Sequence, residues 1–336
     1  MNKLNIGVIG LGIGQKHVET FNNHPQCRVR LVCDISKDKC NNFKHQFPRI
    51  KITDDASKII NNPDIQLVSI ASYDNYHFEQ IIASINNNKH VFVEKPLCMN
   101  EEEAKKIKLF LREKPNLKLS SNLVLRACPL FIQVRDSIQL GEIGQIFYIE
   151  GDYLWGRINK LHDGWRKDME FYSIINGAAI HIIDLIVWLT GMKPILIQAF
   201  GNNLATEGTD LRYNSFVVIL LKFENGLIAK VTANGGCVHP HFHGLEIFGT
   251  KKTWIHGLSE TILINSIESN QEPSIINGKY PAKKERCEII NSFVDSILDQ
   301  NVQPIVPAKD VFDIMSICFT AEKAMNNSTI EKIKYA

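Results

Sequence analysis

One side chain of this 336-residue chain, Lys95, is the best placed for proton chemistry. A glycine-rich turn near the start says what it would act beside. Lys95 sits in Glu94-Lys95-Pro96, directly after the apolar run His90–Val93, which reads as a strand. A lysine at a strand's carboxyl end beside a nicotinamide can take an alcohol's proton while hydride leaves the same carbon. That role needs desolvation to bring its pKa towards neutrality. Pro96 would fix the turn behind it, a cis bond being one way to do so. The glycine turn is Ile6-Gly-Val-Ile-Gly10-Leu-Gly12-Ile13-Gly14, an apolar run leading into a helix-like segment from Gln15. Glycines there let the backbone approach a pyrophosphate, and the helix behind supplies unpaired N–H groups. The spacing departs from G-x-G-x-x-G, which calls for a small residue where Gln15 stands. Asp34 closes the second apolar run, where a carboxylate accepts ribose hydroxyls and repels a 2′-phosphate. NAD is therefore expected over NADP, with Lys37 nearby softening the repulsion.

Other groups suit a polyhydroxylated or charged substrate. Arg126 follows Asn122, where the first domain should end, and Trp165-Arg166 pairs an aromatic face with a guanidinium. Asp184 lies three residues after His181 on one helix face. The run Cys237-Val-His239-Pro-His241-Phe-His243 has alternate histidines, but Pro240 argues against a central strand and no carboxylate completes a tetrahedral centre. It reads as a loop at a pocket edge or interface, with no metal expected. The eight cysteines are scattered without a C-x-x-C pair, which argues for reduced thiols and a cytoplasmic address. The first strand starts almost at Met1, which leaves no space for a signal peptide in the sequence as read. A net charge of +2 without a basic block argues against nucleic acid as partner, and no apolar run is long enough to suggest a membrane span.

The elements that must position these residues alternate. Strands are expected at Asn5–Ile9, Val29–Cys33, Gln66–Ala71, His90–Val93 and Leu117–Ser121, with helices at Gln15–Asn22, Ser36–Phe47, Ala56–Asn61, Phe78–Asn86 and Glu101–Lys114 between them. Asn100 with Glu103 three residues on is a capping-box start for the last helix. Such alternation implies a doubly wound parallel sheet with its ligand crevice at the strands' carboxyl ends. After about residue 123 the rhythm changes. Helices are expected at Pro129–Leu140 and Ala179–Leu189, and strands at Gln145–Tyr153, Ile195–Phe200, Ser215–Phe223, Leu227–Ala233, Gly244–Phe248, Thr253–His256 and Thr261–Ile264. Two helices, Lys283–Leu298 and Ala308–Ala324, close the chain. The fold class is thus an α/β Rossmann domain, residues 1–122, plus an α+β C-terminal domain, residues 123–336, with a large, mostly antiparallel open sheet. The last helices are expected to pack back on the first domain.

Five motifs in order, Gly10-Leu-Gly-Ile-Gly14, Ala71-Ser72-Tyr-Asp-Asn-Tyr-His77, Val93-Glu-Lys-Pro-Leu97, Leu140-Gly-Glu-Ile-Gly144 and His181-Ile-Ile-Asp184-Leu, give the chain a resemblance over essentially its whole length. It resembles the glucose–fructose oxidoreductase, inositol dehydrogenase and rhizopine-catabolism (Gfo/Idh/MocA) oxidoreductases. The resemblance implies hydride transfer between NAD(P) and a ring carbon of a sugar, cyclitol or nucleotide sugar, in a homodimer or homotetramer formed through the C-terminal sheet. It implies catalytic roles for Lys95 and His181, and substrate contacts are expected from Arg126, Trp165, Arg166 and Asp184. Cofactor contacts are expected from Gly10, Gly12, Ile13, Gly14, Asp34, Ser72, His77, Glu94, Lys95 and Asn122. One departure matters: the family's commoner D-x-x-x-H pattern would put Asp at position 177, which is Gly177 here. Asp184 either substitutes for it or is a structural partner. Two rival activities remain open, redox-assisted elimination or epimerisation with retained NAD, and ligand sensing without turnover.

Overall fold

The computed structural model describes residues 3–268 and 271–335. The chain divides into two compact units, Met1–Leu123 with Arg286–Asp313, and Val124–Glu285 with Ile314–Ala336.

The first unit is a six-stranded parallel sheet of β1 (Leu4–Ile9), β2 (Cys27–Cys33), β3 (Lys51–Thr53), β4 (Leu67–Ile70), β5 (His90–Val93) and β6 (Leu119–Ser121). Their order is β3-β2-β1-β4-β5-β6, so the winding reverses between β1 and β4. Helices α1 (Gly14–Asn23), α2 (Lys37–Gln46), α3 (Ser57–Ile60), α4 (His77–Asn86) and α5 (Glu101–Glu113) connect them. β4 is buried along its whole length, as a central parallel strand covered on both faces must be. The helix starts follow from short polar side chains. Ser36 accepts from Lys39 N ahead of α2, and Asn100 Oδ1 accepts from Glu103 N while Glu103 reaches back to Met99 N. The helix Cys287–Leu298 packs on this sheet through Phe293, whose ring centroid lies 5.7 Å from that of Phe92.

The second unit is built on a nine-stranded sheet. Its elements are α6 (Pro129–Gln139), β7 (Ile146–Leu154), α7 (Asn159–His162), α8 (Ile180–Thr190), β8 (Pro194–Asn202), β9 (Phe216–Phe223), β10 (Ile228–Asn234), β11 (Phe242–Gly249), β12 (Thr253–His256), β13 (Thr261–Ile264), β14 (Ser274–Ile275) and, after the helix Ala308–Asn327, β15 (Glu331–Lys332). The order is β14-β13-β12-β11-β7-β10-β9-β8-β15, parallel only between β7 and β10. Alternation decides the faces: Ile149, Val231, Ile219, Leu221 and Ile247 are buried, while Leu220, Lys222 and Ile228 between buried neighbours are exposed. α8 approaches β7 closely enough that a Cβ on Gly151 would lie 2.4 Å from Ile182 Cγ2. Gly191, at φ +66°, ends α8 in the left-handed conformation.

Several expectations need correction. The three residues of β3 were not anticipated, because Lys51-Ile-Thr53 offers one apolar side chain for a pattern to register. Strand β11 begins at Phe242, so His243 belongs to a strand flanking the sheet's centre and pairs with Tyr153. Pro240 forbids the ladder only at its own position. The penultimate helix starts at Cys287, not Lys283, after Ala282 at φ +47°. Among the described residues no helix is long and apolar enough to cross a membrane.

Candidate active site

The carboxyl ends of β1 and β4, where the winding reverses, carry the glycine turn. Gly10 has φ +91°, and a Cβ there would strike the Ala71 carbonyl oxygen at 2.2 Å, so only glycine makes this turn. Gly12 faces open space, with nothing within 4 Å of a built Cβ, as close backbone approach by a pyrophosphate requires. At Gly14, a Cβ would meet Val8 Cγ1 and Ala71 Cβ at 3.1 Å, so this glycine lets α1 lie against the sheet. The third small residue is therefore Gly14. Gln15 points elsewhere and bonds Gln46. Ile13 is half exposed beside the turn, and Ile35 is more exposed still, next to Asp34. Asp34 is buried, and its two oxygens accept from Leu11 N at 2.7 Å and Ser36 N at 2.8 Å. A carboxylate retains further lone pairs for ribose hydroxyls. The cation beside it is Lys39, Nζ at 3.7 Å, rather than Lys37. These residues fit a dinucleotide: a turn that only glycine permits, an open approach at Gly12, a helix N-terminus and a fixed carboxylate.

Lys95 follows β5 and is half-buried, and the Lys95–Pro96 bond is cis. Beneath it runs a buried polar chain. His17 of α1 donates from Nε2 to Glu94 Oε1 at 3.0 Å, with Nδ1 2.9 Å from Ser69 Oγ of β4. Asn122, just after β6, donates to the same Glu94 oxygen at 2.6 Å. Burial works to raise the Glu94 pKa, but His17, Asn122 and the Lys95 charge outweigh it and hold the carboxyl below its ordinary range. Glu94 and Asn122, expected at the cofactor, thus meet through their side chains, and His17 joins them. Sequence reasoning missed His17, although its place beside Val18 and Phe21 on the buried stripe of α1 was a signal. His77 has no exposed surface: Nδ1 lies 2.7 Å from Pro96 O and Nε2 3.3 Å from Ser72 O. Its ring ties two loops together. Ser72 Oγ donates to Gln80.

In the second unit, His181 lies near the start of α8, 7% exposed, its ring stacked on Tyr153 at 5.7 Å with 10° between planes. Tyr153 Oη lies 3.0 Å from His241 Nε2, and His243 Nδ1 lies 2.7 Å from Tyr280 Oη. The three alternate histidines part company: His239 and His241 are partly covered and His243 is buried. Among the described residues no group of His, Cys, Asp or Glu is arranged to hold a metal. Asp184 is engaged with a cation. It holds Arg126, with Nε 3.1 Å from both carboxylate oxygens and Nη2 2.6 Å from Oδ1, each side chain 1% exposed. Arg126 and Asp184 therefore pin α8 to the turn Val124–Ala127, each charge facing the other. Trp165 and Arg166 come together, the guanidinium 4.4 Å from the Trp165 ring and near Trp155 and Tyr172 as well. The buried Cys33 and Cys27 thiols are pushed up to about 12, chiefly by desolvation, which makes them inert core groups.

Residues 4–122 match the family described as "Oxidoreductase family, NAD-binding Rossmann fold", and residues 131–255 match the "GFO/IDH/MocA C-terminal domain". The chain belongs to the Gfo/Idh/MocA oxidoreductases. Myo-inositol 2-dehydrogenase of Thermotoga maritima is 25% identical over 349 residues, spanning 98% of this chain and 99% of its own. Levoglucosan dehydrogenase of Pseudarthrobacter phenanthrenivorans is 26% identical over 297 residues, 79% of this chain and 74% of its own. A levoglucosan dehydrogenase solved in complex with NADH shares the fold at a TM-score of 0.85 and 20% identity, covering all of both chains.

Proposed function

We propose that this protein oxidises a ring CH–OH group of a sugar, cyclitol or nucleotide sugar, with NAD as the hydride acceptor and Lys95 as the proton shuttle. The observation that carries the reading is Lys95 at the end of β5, held above the His17–Glu94–Asn122 chain that also fixes α1 behind the glycine turn. A bound nicotinamide supplies the hydride acceptor. Lys95 Nζ, neutral when it acts, takes the proton of the substrate hydroxyl, and the ionised Glu94 beside it favours the ammonium that results. His181 is the proposed residue for orienting the hydroxyl, and Trp165 with Arg166 offers a face and a cation suited to a polar ring. Arg126 and Asp184 position α8 from within. Asp34 selects NAD over NADP by accepting ribose hydroxyls where a 2′-phosphate would meet a carboxylate.

The sheet's outer face, with Phe200, Leu220 and Ile228 each 42–52% exposed, suits pairing with a second copy in a cytoplasmic homo-oligomer. The relatives' names support the substrate class, since they act on inositol and levoglucosan. The test is absorbance at 340 nm with NAD and, separately, NADP over myo-inositol, levoglucosan, D-glucose and nucleotide sugars. Turnover by the wild type that is lost in Lys95→Ala, with NADH still bound, supports the reading. Absence of turnover together with polyol-dependent NADH fluorescence in both proteins would instead favour a ligand sensor.

A further inference from the structure

The residue at 177, where a carboxylate commonly precedes the histidine, is a glycine for a steric reason. A Cβ at Gly177 would lie 2.4 Å from Tyr172 Oη and 3.1 Å from Cζ. The Tyr172 phenol fills the volume a side chain would need, and with 2% exposure it has no route out that keeps the interior closed. Residues Ile175–Ala179 form a π turn, a rare element often found at functional sites. In such a turn hydrogen bonds run from i to i+5, so residues five apart lie one above the other, as residues four apart do in an α-helix. Asn176 lies within this turn, ahead of His181 in the first turn of α8.

Asn176 is 2% exposed, and both ends of its amide, Oδ1 and Nδ2, are buried without a hydrogen-bond partner among the described residues. A buried amide left this way bears its full desolvation cost, which a core position would remove with an apolar side chain. Its backbone is well placed, since Asn176 N donates to Ser173 Oγ, so the side chain is not needed to hold the turn. Nearby through Tyr172, Arg166 Nε is also buried without a partner among the described residues.

We propose that Asn176 is a substrate-binding residue, its amide hydrogen-bonding a hydroxyl of the ring in place of the carboxylate excluded from position 177. Oδ1 accepts from one hydroxyl and Nδ2 donates to a neighbouring oxygen, a pairing that suits a vicinal diol. An amide orients without titrating, so proton acceptance is left to Lys95. This inference rests on the dehydrogenase reading above. The experiment compares wild type with Asn176→Leu, and with Asn176→Ala in case leucine overpacks. It uses whichever of myo-inositol, levoglucosan and D-glucose the wild type oxidises fastest. The variants should melt no lower than wild type and bind NADH equally, while kcat/KM for the polyol falls about tenfold or more. A folded variant keeping kcat/KM within about twofold overturns the role of Asn176 and leaves the dehydrogenase reading standing. A wild type that neither oxidises any of the three nor changes its bound-NADH fluorescence with them overturns both.

Discussion

Removing the charge of Asp184 tests whether the buried ion pair under α8 is structural. At the 2.6 Å separation of Arg126 Nη2 and Asp184 Oδ1, attraction at an effective dielectric of ~20 is about 6 kcal/mol. Desolvating two ions that are each 1% exposed offsets most of that, so the intact pair adds little net stability. Breaking it is different, because the surviving charge keeps its desolvation cost and loses its partner. Asp184→Asn should therefore cost about 3–5 kcal/mol. For a unit of this size that lowers the melting temperature by roughly 6–20 °C. The double variant Asp184→Leu with Arg126→Met removes both charges and should recover to within about 2 kcal/mol of wild type. Circular dichroism melts of wild type, Asp184→Leu, Arg126→Met and the double variant give the cycle, with Asp184→Asn beside them, and kcat/KM measured well below each midpoint separates folding from catalysis. Asp184→Asn melting within about 1 °C of wild type would refute the buried-charge reasoning. A stable double variant without activity would instead return these residues to direct substrate contact.

Three further outcomes are expected. Glu94→Gln keeps an oxygen for His17 and Asn122 but removes the charge beside Lys95. The acid limb of kcat/KM for polyol oxidation should move to lower pH, by up to about one unit. The same variant bears on stability. A carboxyl held below its ordinary value near 4.5 contributes stability that is complete above that value and lost as pH falls through the lower, folded one. Acid melts of Glu94→Gln should lack that component; an unchanged acid transition would count against it. Gly177→Asp, which restores the commoner pattern, should destabilise by about 1–3 kcal/mol because Tyr172 blocks it, as thermal melts can check.

The periodic parts of the fold were legible in the sequence. Apolar runs of four to seven residues and glycines such as Gly191 place most strands and helix ends within a few residues, and Asn100 with Glu103 marks α5. Gly10, Gly12 and Asp34 together point to a dinucleotide cradle because each serves a backbone need that few other residues meet. What pattern cannot show is contact between distant residues. His17 meets Glu94 across 77 positions, and Arg126 meets Asp184 across 58, with nothing local to mark either pair. Gly177 read as a lost carboxylate until Tyr172 was seen to fill its place. His243 looked like part of a loop because Pro240 lies three residues before it, yet the ladder resumes at Phe242.

The central claim is hydride transfer from a ring carbon with Lys95 taking the proton. Its most direct measurement is deuterium transfer from a polyol labelled at the reacting C–H, followed by mass spectrometry of the reduced cofactor. Wild type should place carbon-derived deuterium on the nicotinamide, and Lys95→Met should bind NADH yet form the labelled product at least about a hundredfold more slowly. Reduced cofactor without the label, or an undiminished rate in Lys95→Met, would contradict the account.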